Sequence, residues 1–131
     1  MTPNDGADRT RIRQRAYRLG LTAETFATLW LRLKGYRILA RRYRRGPGEI
    51  DIIAKRGKVV AFVEVKARRD RTTALESITP AAQRRIVAAA RVFVAEHPKA
   101  VFYTLRFDAV LIVPRRWPEH VCDAFRGRDP M

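Results

Sequence analysis

Residues 48–66, with the sequence GEIDIIAKRGKVVAFVEVK, decide the fold of this chain. Two runs rich in Ile, Val and Ala flank the pair Gly57-Lys58, and a glycine-first pair between such runs is typical of a type II′ turn. The two runs therefore predict the antiparallel strands of one hairpin. With a two-residue turn at that pair, Asp51 faces Glu64 across the strands.

Strand alternation assigns the side chains of this hairpin to two faces. In residues 59–66, one face carries Val60, Phe62, Glu64 and Lys66, and the other carries Val59, Ala61, Val63 and Val65. Apolar residues on both faces are typical of a central strand that is covered on both sides. In residues 49–55, alternation places Ile50, Ile52 and Ala54 on one face and Glu49, Asp51 and Ile53 on the other.

The facing carboxylates of Asp51 and Glu64 repel each other, so they require a group that offsets their negative charge. Groups directly opposite on antiparallel strands have Cβ atoms about 4.5–5.5 Å apart, and like charges at that distance destabilise the pair. A shared proton or a divalent cation would offset the repulsion, and Mg²⁺ binds through such carboxylates together with phosphates. Lys66 adds an ammonium that can orient a water or stabilise developing charge. The alternative, an ordinary solvated strand face, is disfavoured by the apolar flanks.

Two helices are predicted around this hairpin. The first covers about residues 22–34, with Thr22 as its cap and Gly35 at its end. The second begins near Pro80, with Thr79 as its cap, and ends at His97. Their buried stripes are predicted from helical spacing as Phe26, Leu29, Trp30 and Leu33 in the first, and Ile86, Ala89, Ala90 and Phe93 in the second.

The remaining β-type runs complete the order of elements. Residues 36–43 form the first predicted strand, and residues 101–113 form either two strands or one bent strand. The tail from Pro114 adds a short strand or a turn of helix. The order α-β-β-β-α-β predicts an α/β fold, a mixed sheet flanked by helices on both faces.

Length and composition indicate a soluble, cytoplasmic protein. The 131 residues suit one domain, which we place at residues 22–131, and residues 1–21 suggest a flexible basic arm. No apolar run is long enough to span a bilayer, so we expect no membrane partner. The single cysteine excludes an internal disulfide framework and a cysteine-based zinc cluster.

The charge favours a polyanionic partner. Lys and Arg number 28 against 13 Asp and Glu, which leaves a net charge of +15. Such a surplus favours nucleic acid, because each neutralised phosphate releases condensed counterions. Two alternatives stay open on composition alone, an arginine bias of a GC-rich genome and an anionic lipid surface.

Three segments together resemble the YraN-like family. They are GYRILAR at residues 35–41, GEIDIIA at residues 48–54 and FVEVKAR at residues 62–68. These small bacterial proteins are placed in the PD-(D/E)XK nuclease superfamily and are similar to archaeal Holliday-junction resolvases. The resemblance covers about residues 22–113 and implies a restriction-endonuclease-like core in a nuclease-like domain. Two positions depart from the family pattern, since Arg42 stands for Asn and Ala82 for Lys.

The resemblance implies a role for several positions. Asp51 and Glu64 would bind Mg²⁺ or Mn²⁺, with the carbonyl of Val65 as a third ligand and Lys66 as the catalytic lysine. Glu24 matches an acidic residue of the first helix that supports the metal or a water, whereas the role of Glu49 is open. The nucleic-acid contacts that we expect are Arg44, Arg45, Arg68, Arg69, Arg71, Gln83, Arg84 and Arg85.

Several other residues are interpreted as structural. His120 and Cys122 lie close in sequence, but we expect no third or fourth metal ligand nearby. Asp108 is expected to pair with an Arg, Trp30 to lie in the core, and Trp117 to cover the sheet edge rather than stack on a base.

The sequence therefore predicts a Mg²⁺-dependent endonuclease that acts on DNA, with branched or junction DNA as one candidate substrate. The alternative is a non-catalytic protein that binds DNA, RNA or the ribosome and retains the nuclease fold. Resolvase-like enzymes act as dimers, which makes a homodimer an expectation, although no residue pattern marks its interface.

Overall fold

The computed structural model describes residues 22–126, so the predicted arm at residues 1–21 lies outside the described part. The elements in chain order are α1 (Ala23–Leu33), β1 (Arg37–Arg45), β2 (Gly48–Arg56), β3 (Val59–Ala67), α2 (Arg71–Glu76), α3 (Pro80–Glu96), a 3-10 helix (Pro98–Phe102), β4 (Thr104–Ile112) and β5 (Glu119–Val121). The predicted α/β order is confirmed. No helix within residues 22–126 is long and apolar enough to cross a bilayer.

The strands form one mixed five-stranded sheet in the order β1-β2-β3-β4-β5. Neighbouring strands are antiparallel except β3 and β4, which are parallel. The apolar strand β3 is therefore central, as its two apolar faces predicted. The long run before Pro114 contains one strand and the 3-10 helix, and the tail adds the short edge strand β5.

The predicted hairpin and its turn are confirmed. β2 and β3 pair from Arg56 opposite Val59 to Ile52 opposite Val63, which leaves Gly57 and Lys58 as the turn. Gly57 has φ +59, as the first central residue of a type II′ turn requires, and Lys58 has no positive φ. The turn thus fixes the register that brings the acidic positions of the two strands to the same end of the hairpin.

Each face of the sheet carries its own hydrophobic core. The α3-side core packs residues such as Ile86 and Phe93 against Ile53 and Phe62. The α1-side core packs Ala27 and Leu31 against Ile52, Ala61 and Val63. Helix α3 lies so close to β2 that a Cβ on Gly48 would meet the backbone nitrogen of Ala89 at 2.6 Å. This close approach brings the first turns of α3 alongside the acidic end of the hairpin.

The predicted face of Ile50 is wrong. Ile50 belongs to the α3-side core with Ile53, whereas Ile52 and Ala54 belong to the α1-side core. The two members of the α3-side core are three residues apart, so the alternation of β2 shifts between them. The paired strand β1 is irregular as well, with a register shift after Ile38 and a left-handed φ of +51 at Arg42.

The predicted buried stripe of α1 is confirmed only at Phe26, which packs against the α1-side core, and is wrong for Leu29 and Leu33. The residues that α1 buries are Ala27, Thr28 and Leu31, whereas Leu29 is 42% exposed and Leu33 is 82% exposed. Ala27 and Leu31, one helical turn apart, face the sheet, so Leu29 and Leu33 are turned away from it. Trp30, which the sequence assigned to the core, is half-buried against Trp117.

Candidate metal centre

A polar cleft of about 240 Å³ lies between the acidic end of the hairpin and the first turns of α3. Its lining residues are Glu49, Asp51, Glu64, Val65, Lys66, Ala82, Arg85 and Ile86. The predicted acid pair and the predicted lysine thus lie in one cleft. The volume is below the ~300–1,000 Å³ of typical small-molecule pockets, so the cleft suits a hydrated ion and one phosphate group.

The Asp51 carboxylate forms a side-chain hydrogen bond to β3 at the point where the regular pairing of β2 and β3 ends. Regular pairing ends at Ile52 and Val63, and Asp51 Oδ2 accepts a hydrogen bond of 2.8 Å from the Val65 amide. The carboxylate is thereby held toward β3, next to Glu64. Convergence of the two acids depends on this side-chain contact as well as on the register of the hairpin.

Glu64 is a buried carboxylate without sufficient compensation. It is only 9% exposed. Burial, together with a hydrogen bond and repulsion from Asp51, raises the pKa of Glu64 from 4.5 to about 8 against the opposing effect of Lys66. The ammonium of Lys66 lies 3.4 Å from Glu64 Oε2. One ammonium therefore does not neutralise the two acids, and the raised pKa of Glu64 favours its protonated form near neutral pH in the absence of another cation.

The donor set fits a hard divalent cation. Two carboxylates in one cleft offer oxygen ligands of the kind that Mg²⁺ prefers, and such sites complete their shell with waters and phosphates. A doubly charged ion would also supply the positive charge that the acid pair lacks. The Val65 amide is engaged by Asp51, which leaves the carbonyl of the same residue as its remaining polar group.

Glu24, the predicted supporting acid, does not line this cleft. Its two oxygens accept hydrogen bonds from Arg41 at 3.2 Å and Arg42 at 3.1 Å. The carboxylate of α1 is thus tied to the exposed strand β1. The sequence placed Glu24 near the site through the resemblance and gave no signal for these two arginine partners.

Most of the predicted nucleic-acid contacts already have protein partners. Arg44 pairs with Glu49, Arg45 with Glu96, Arg69 with Asp70 and Arg71 with Glu119, and Arg68 bonds the carbonyl of Ala67. The amide of Gln83 donates to the carbonyl of Ile78 and does not line the cleft. Of the eight residues, only Arg85 lines the cleft, and it forms no ion pair within residues 22–126.

A second polar cluster was missed by the sequence. Asp108 of β4 and His120 of β5 are hydrogen-bonded at 2.7 Å, and Cys122 Sγ lies 3.7 Å from the same ring nitrogen. The inference that His120 and Cys122 have no third candidate ligand nearby is therefore wrong, because Asp108 completes a group of three. The expected pairing of Asp108 with an arginine is confirmed, since Arg106 contacts both of its oxygens at 2.8 Å.

In the second cluster, neighbouring protein groups compensate the negative charge of Asp108. The fully buried Asp108 carboxylate accepts four hydrogen bonds, two from Arg106, one from His120 and one of 3.0 Å from the Asp123 amide. On the other side of the ring, His120 Nδ1 lies 2.6 Å from the ammonium of Lys34. An ammonium only donates and a carboxylate only accepts, so the His120 proton is on Nε2. A metal ion here would have to displace that proton beside two cationic side chains.

Comparison with known proteins identifies relatives along most of the chain. The model of the uncharacterised protein family UPF0102 matches residues 23–112. A UPF0102 protein of Parvibaculum lavamentivorans is 54% identical over 111 residues, covering 85% of this chain and 84% of the relative. A UPF0102 protein of Methylocella silvestris is 59% identical over 105 residues, covering 80% and 85%. A UPF0102 protein of Chelativorans sp. is 50% identical over 123 residues, covering 94% and 99%.

Proposed function

The chain belongs to the uncharacterised protein family UPF0102, the YraN-like proteins, and from that premise we propose that it is a Mg²⁺- or Mn²⁺-dependent endonuclease acting on DNA. The observation that carries the proposal is the buried acid pair of Asp51 and Glu64, which has one ammonium for two carboxylates. The family description names no activity, so the proposal rests on the cleft and on the resemblance to PD-(D/E)XK nucleases.

The roles in the proposal follow from the chemistry of each residue. Asp51 and Glu64 would hold the ion, with the Val65 carbonyl as the third protein ligand. The bound ion would polarise the phosphodiester and lower the pKa of a water. Lys66 lies beside Glu64 at the mouth of the acid pair, where its ammonium can orient the attacking water and stabilise charge on the phosphate oxygens.

The size of the cleft and the charge of the chain suit a polymeric substrate. A volume of about 240 Å³ can take a hydrated ion and a phosphate group. A nucleic-acid backbone can lie across the open cleft and present one phosphate to it. The net charge of +15 supports the same partner, because phosphate neutralisation is the main source of sequence-independent affinity.

A second candidate function is non-catalytic nucleic-acid binding. The charge surplus alone supports it, since counterion release requires no metal site. In that case the cleft would hold no metal ion, and binding would fall with salt but would not depend on Mg²⁺. The two candidates therefore differ in the metal dependence of turnover and not in whether the protein binds.

The test is cleavage of linear duplex, single-stranded and four-way-junction DNA with Mg²⁺ or Mn²⁺. We expect cleavage by the wild type, and a loss of at least about a hundredfold when Asp51 and Glu64 are both replaced by Ala. The matched control is Glu76→Ala, which removes an exposed acid of α2 outside the cleft. Activity that survives in the double variant would refute the assigned site.

A calorimetric titration tests the metal separately from turnover. We expect Mn²⁺ to bind the wild type at one site, to bind the Asp51→Asn variant much more weakly, and to bind the Glu76→Ala control as it does the wild type. Tight metal binding with no cleavage of any DNA would favour a different phosphodiester substrate. Salt-sensitive DNA binding without any metal binding would favour the second candidate.

A further inference from the structure

An aromatic and aliphatic surface lies on the α1 side of the sheet, away from the cleft. Helix α1 exposes Leu29 and Leu33, and Trp117, which is 42% exposed, continues this surface from the loop before β5. We name Leu29, Trp30, Leu33 and Trp117 the aromatic platform. Large apolar side chains usually contribute to a core, so a group of them left in water indicates a contact surface.

The two tryptophans of the platform are stacked. The ring centroids of Trp30 and Trp117 are 5.7 Å apart, and the ring planes differ by 18°. This stack leaves part of the Trp117 ring in solvent, where a further planar group can continue it. Exposed aromatic faces of this kind bind unpaired nucleobases in proteins that recognise single strands.

The loop that carries Trp117 is shaped by its backbone. Trp117 precedes the buried Pro118, and the loop begins with Pro114. Between them, Arg115 adopts a left-handed φ of +67, a conformation that costs a non-glycine residue free energy. The ring of Trp117 is stacked on Trp30 before any partner arrives, which lowers the entropic cost of binding.

The rim of the platform is basic. Arg32 of α1 and Arg115 and Arg116 of the loop are exposed, and their guanidinium groups form no ion pair within residues 22–126. By contrast, Arg41, Arg44 and Arg71 are each paired with a glutamate. Guanidinium groups without acidic partners beside a stacked ring offer phosphate contacts and base stacking together.

We infer that the aromatic platform binds single-stranded nucleic acid, with a base stacked on Trp117 and phosphates on the arginine rim. A second copy of this chain fits less well, because two molecules of charge +15 repel each other. The platform lies on the α1 side of the sheet and the cleft on the α3 side. The inference therefore does not rest on the proposed nuclease activity.

Intrinsic fluorescence tests this inference directly, because the chain contains only two tryptophans and both are in the platform. A single-stranded oligonucleotide is titrated into the full chain in EDTA, so that cleavage cannot contribute. We expect saturable quenching that is stronger than with a duplex of the same length. Trp117→Ala should weaken single-strand binding by about tenfold or more, and Trp117→Phe should weaken it by less. The anisotropy of a labelled oligonucleotide measures both affinities.

Two further variants keep the test informative if Trp117→Ala does not fold. Replacing Arg115 and Arg116 together by Ala should lower the dependence of affinity on salt, because two phosphate contacts are lost. Asp51→Asn changes only the cleft and should leave quenching unchanged, whatever becomes of the nuclease activity. Equal quenching by duplex and single strand, or unchanged affinity in Trp117→Ala, would overturn the inference.

The alternative occupants give distinct results. If the platform joins two copies of the chain, dilution without oligonucleotide should change both the tryptophan emission and the sedimentation coefficient of the protein. A lipid-binding platform would be quenched by anionic phosphatidylserine vesicles and not by oligonucleotide. Either result without single-strand quenching would replace nucleic acid as the partner.

Discussion

Within residues 22–126, acidic groups are buried in two places, and their charge is compensated in one place and not in the other. Asp108 in the second cluster is fully buried and accepts hydrogen bonds from Arg106, His120 and the Asp123 amide. Glu64 in the cleft is nearly as buried, but its neighbours are another carboxylate and a single ammonium. One site satisfies its charge with its own residues, and the other does not.

The pKa shifts of the two sites follow this difference. Burial alone would raise the pKa of Asp108, yet its hydrogen bonds to His120, Arg106 and the Asp123 amide leave that pKa below its ordinary value. Burial and Asp51 together raise the pKa of Glu64 to about 8. A compensated carboxylate stabilises the fold, whereas an uncompensated pair is a candidate binding site for a cation.

The same Asp→Asn change should have opposite effects at the two sites, and this is the largest effect that we expect. Asp108→Asn removes the charge that Arg106 requires and should lower the free energy of unfolding by about 3–5 kcal/mol. Asp51→Asn removes one of two repelling charges, keeps an acceptor for the Val65 amide, and should leave stability unchanged or higher. Urea unfolding without metal measures both, and equal losses would contradict the comparison.

The pH dependence of stability should reveal the uncompensated site. The pKa of Glu64 is about 8 in the folded state against 4.5 in the unfolded state, so the folded protein binds more protons between these values. This contribution to stability is fully present below pH 4.5 and is lost as pH rises through 8. In Glu64→Gln the decline should be smaller by a few kcal/mol, as measured by urea unfolding from pH 5 to 9.

A divalent ion bound in the cleft should restore the stability that is lost as pH rises. At about a hundred times its dissociation constant, a bound ion adds about 2.7 kcal/mol to the free energy of unfolding. We expect Mn²⁺ to stabilise the wild type more at pH 8 than at pH 6, because binding must displace the Glu64 proton. Asp51→Asn should lose the stabilisation and Cys122→Ala should retain it. Loss in Cys122→Ala instead would move the metal to the second cluster.

Two adjacent arginines of α3 allow a matched comparison of DNA affinity, in which we expect a smaller effect. Arg85 lines the cleft, whereas Arg84 is exposed and does not. Arg85→Ala should weaken duplex DNA binding in Ca²⁺ by about tenfold. It should also reduce the slope of log affinity against log salt concentration by about one. Arg84→Ala should have less effect on both. Anisotropy of a labelled duplex measures them, and equal effects would mean that α3 contacts the backbone without directing it into the cleft.

The smallest effect is expected at the backbone irregularity beside the cleft. Arg42 has φ +51, a conformation that Asn tolerates better than Arg. Arg42→Asn should raise the free energy of unfolding by about 0.5–1 kcal/mol, less the loss of one exposed pairing with Glu24. Thermal unfolding measures it. A clear loss of stability would show that the pairing with Glu24 outweighs the backbone strain.

The sequence by itself determined the features that depend on neighbouring residues. The pair Gly57-Lys58 fixed the turn and with it the register of β2 and β3, because turn conformation is set by local backbone preference. Thr22 and Thr79 marked both helix starts through bonds to amides three residues away. These local rules brought Asp51, Glu64 and Lys66 into one predicted cluster, and all three line the cleft.

Only the tertiary structure decided features that join distant parts of the chain. The face that α1 buries depends on how the helix packs on the sheet, so Ala27, Thr28 and Leu31 lie inward and Leu33 lies outward. The bond between Lys34 and His120 joins residues 86 positions apart, and Asp108 reaches His120 only because β4 pairs with β5. Hydrophobic spacing and turn chemistry carry no information about such pairs, because their free energy depends on which elements pack together.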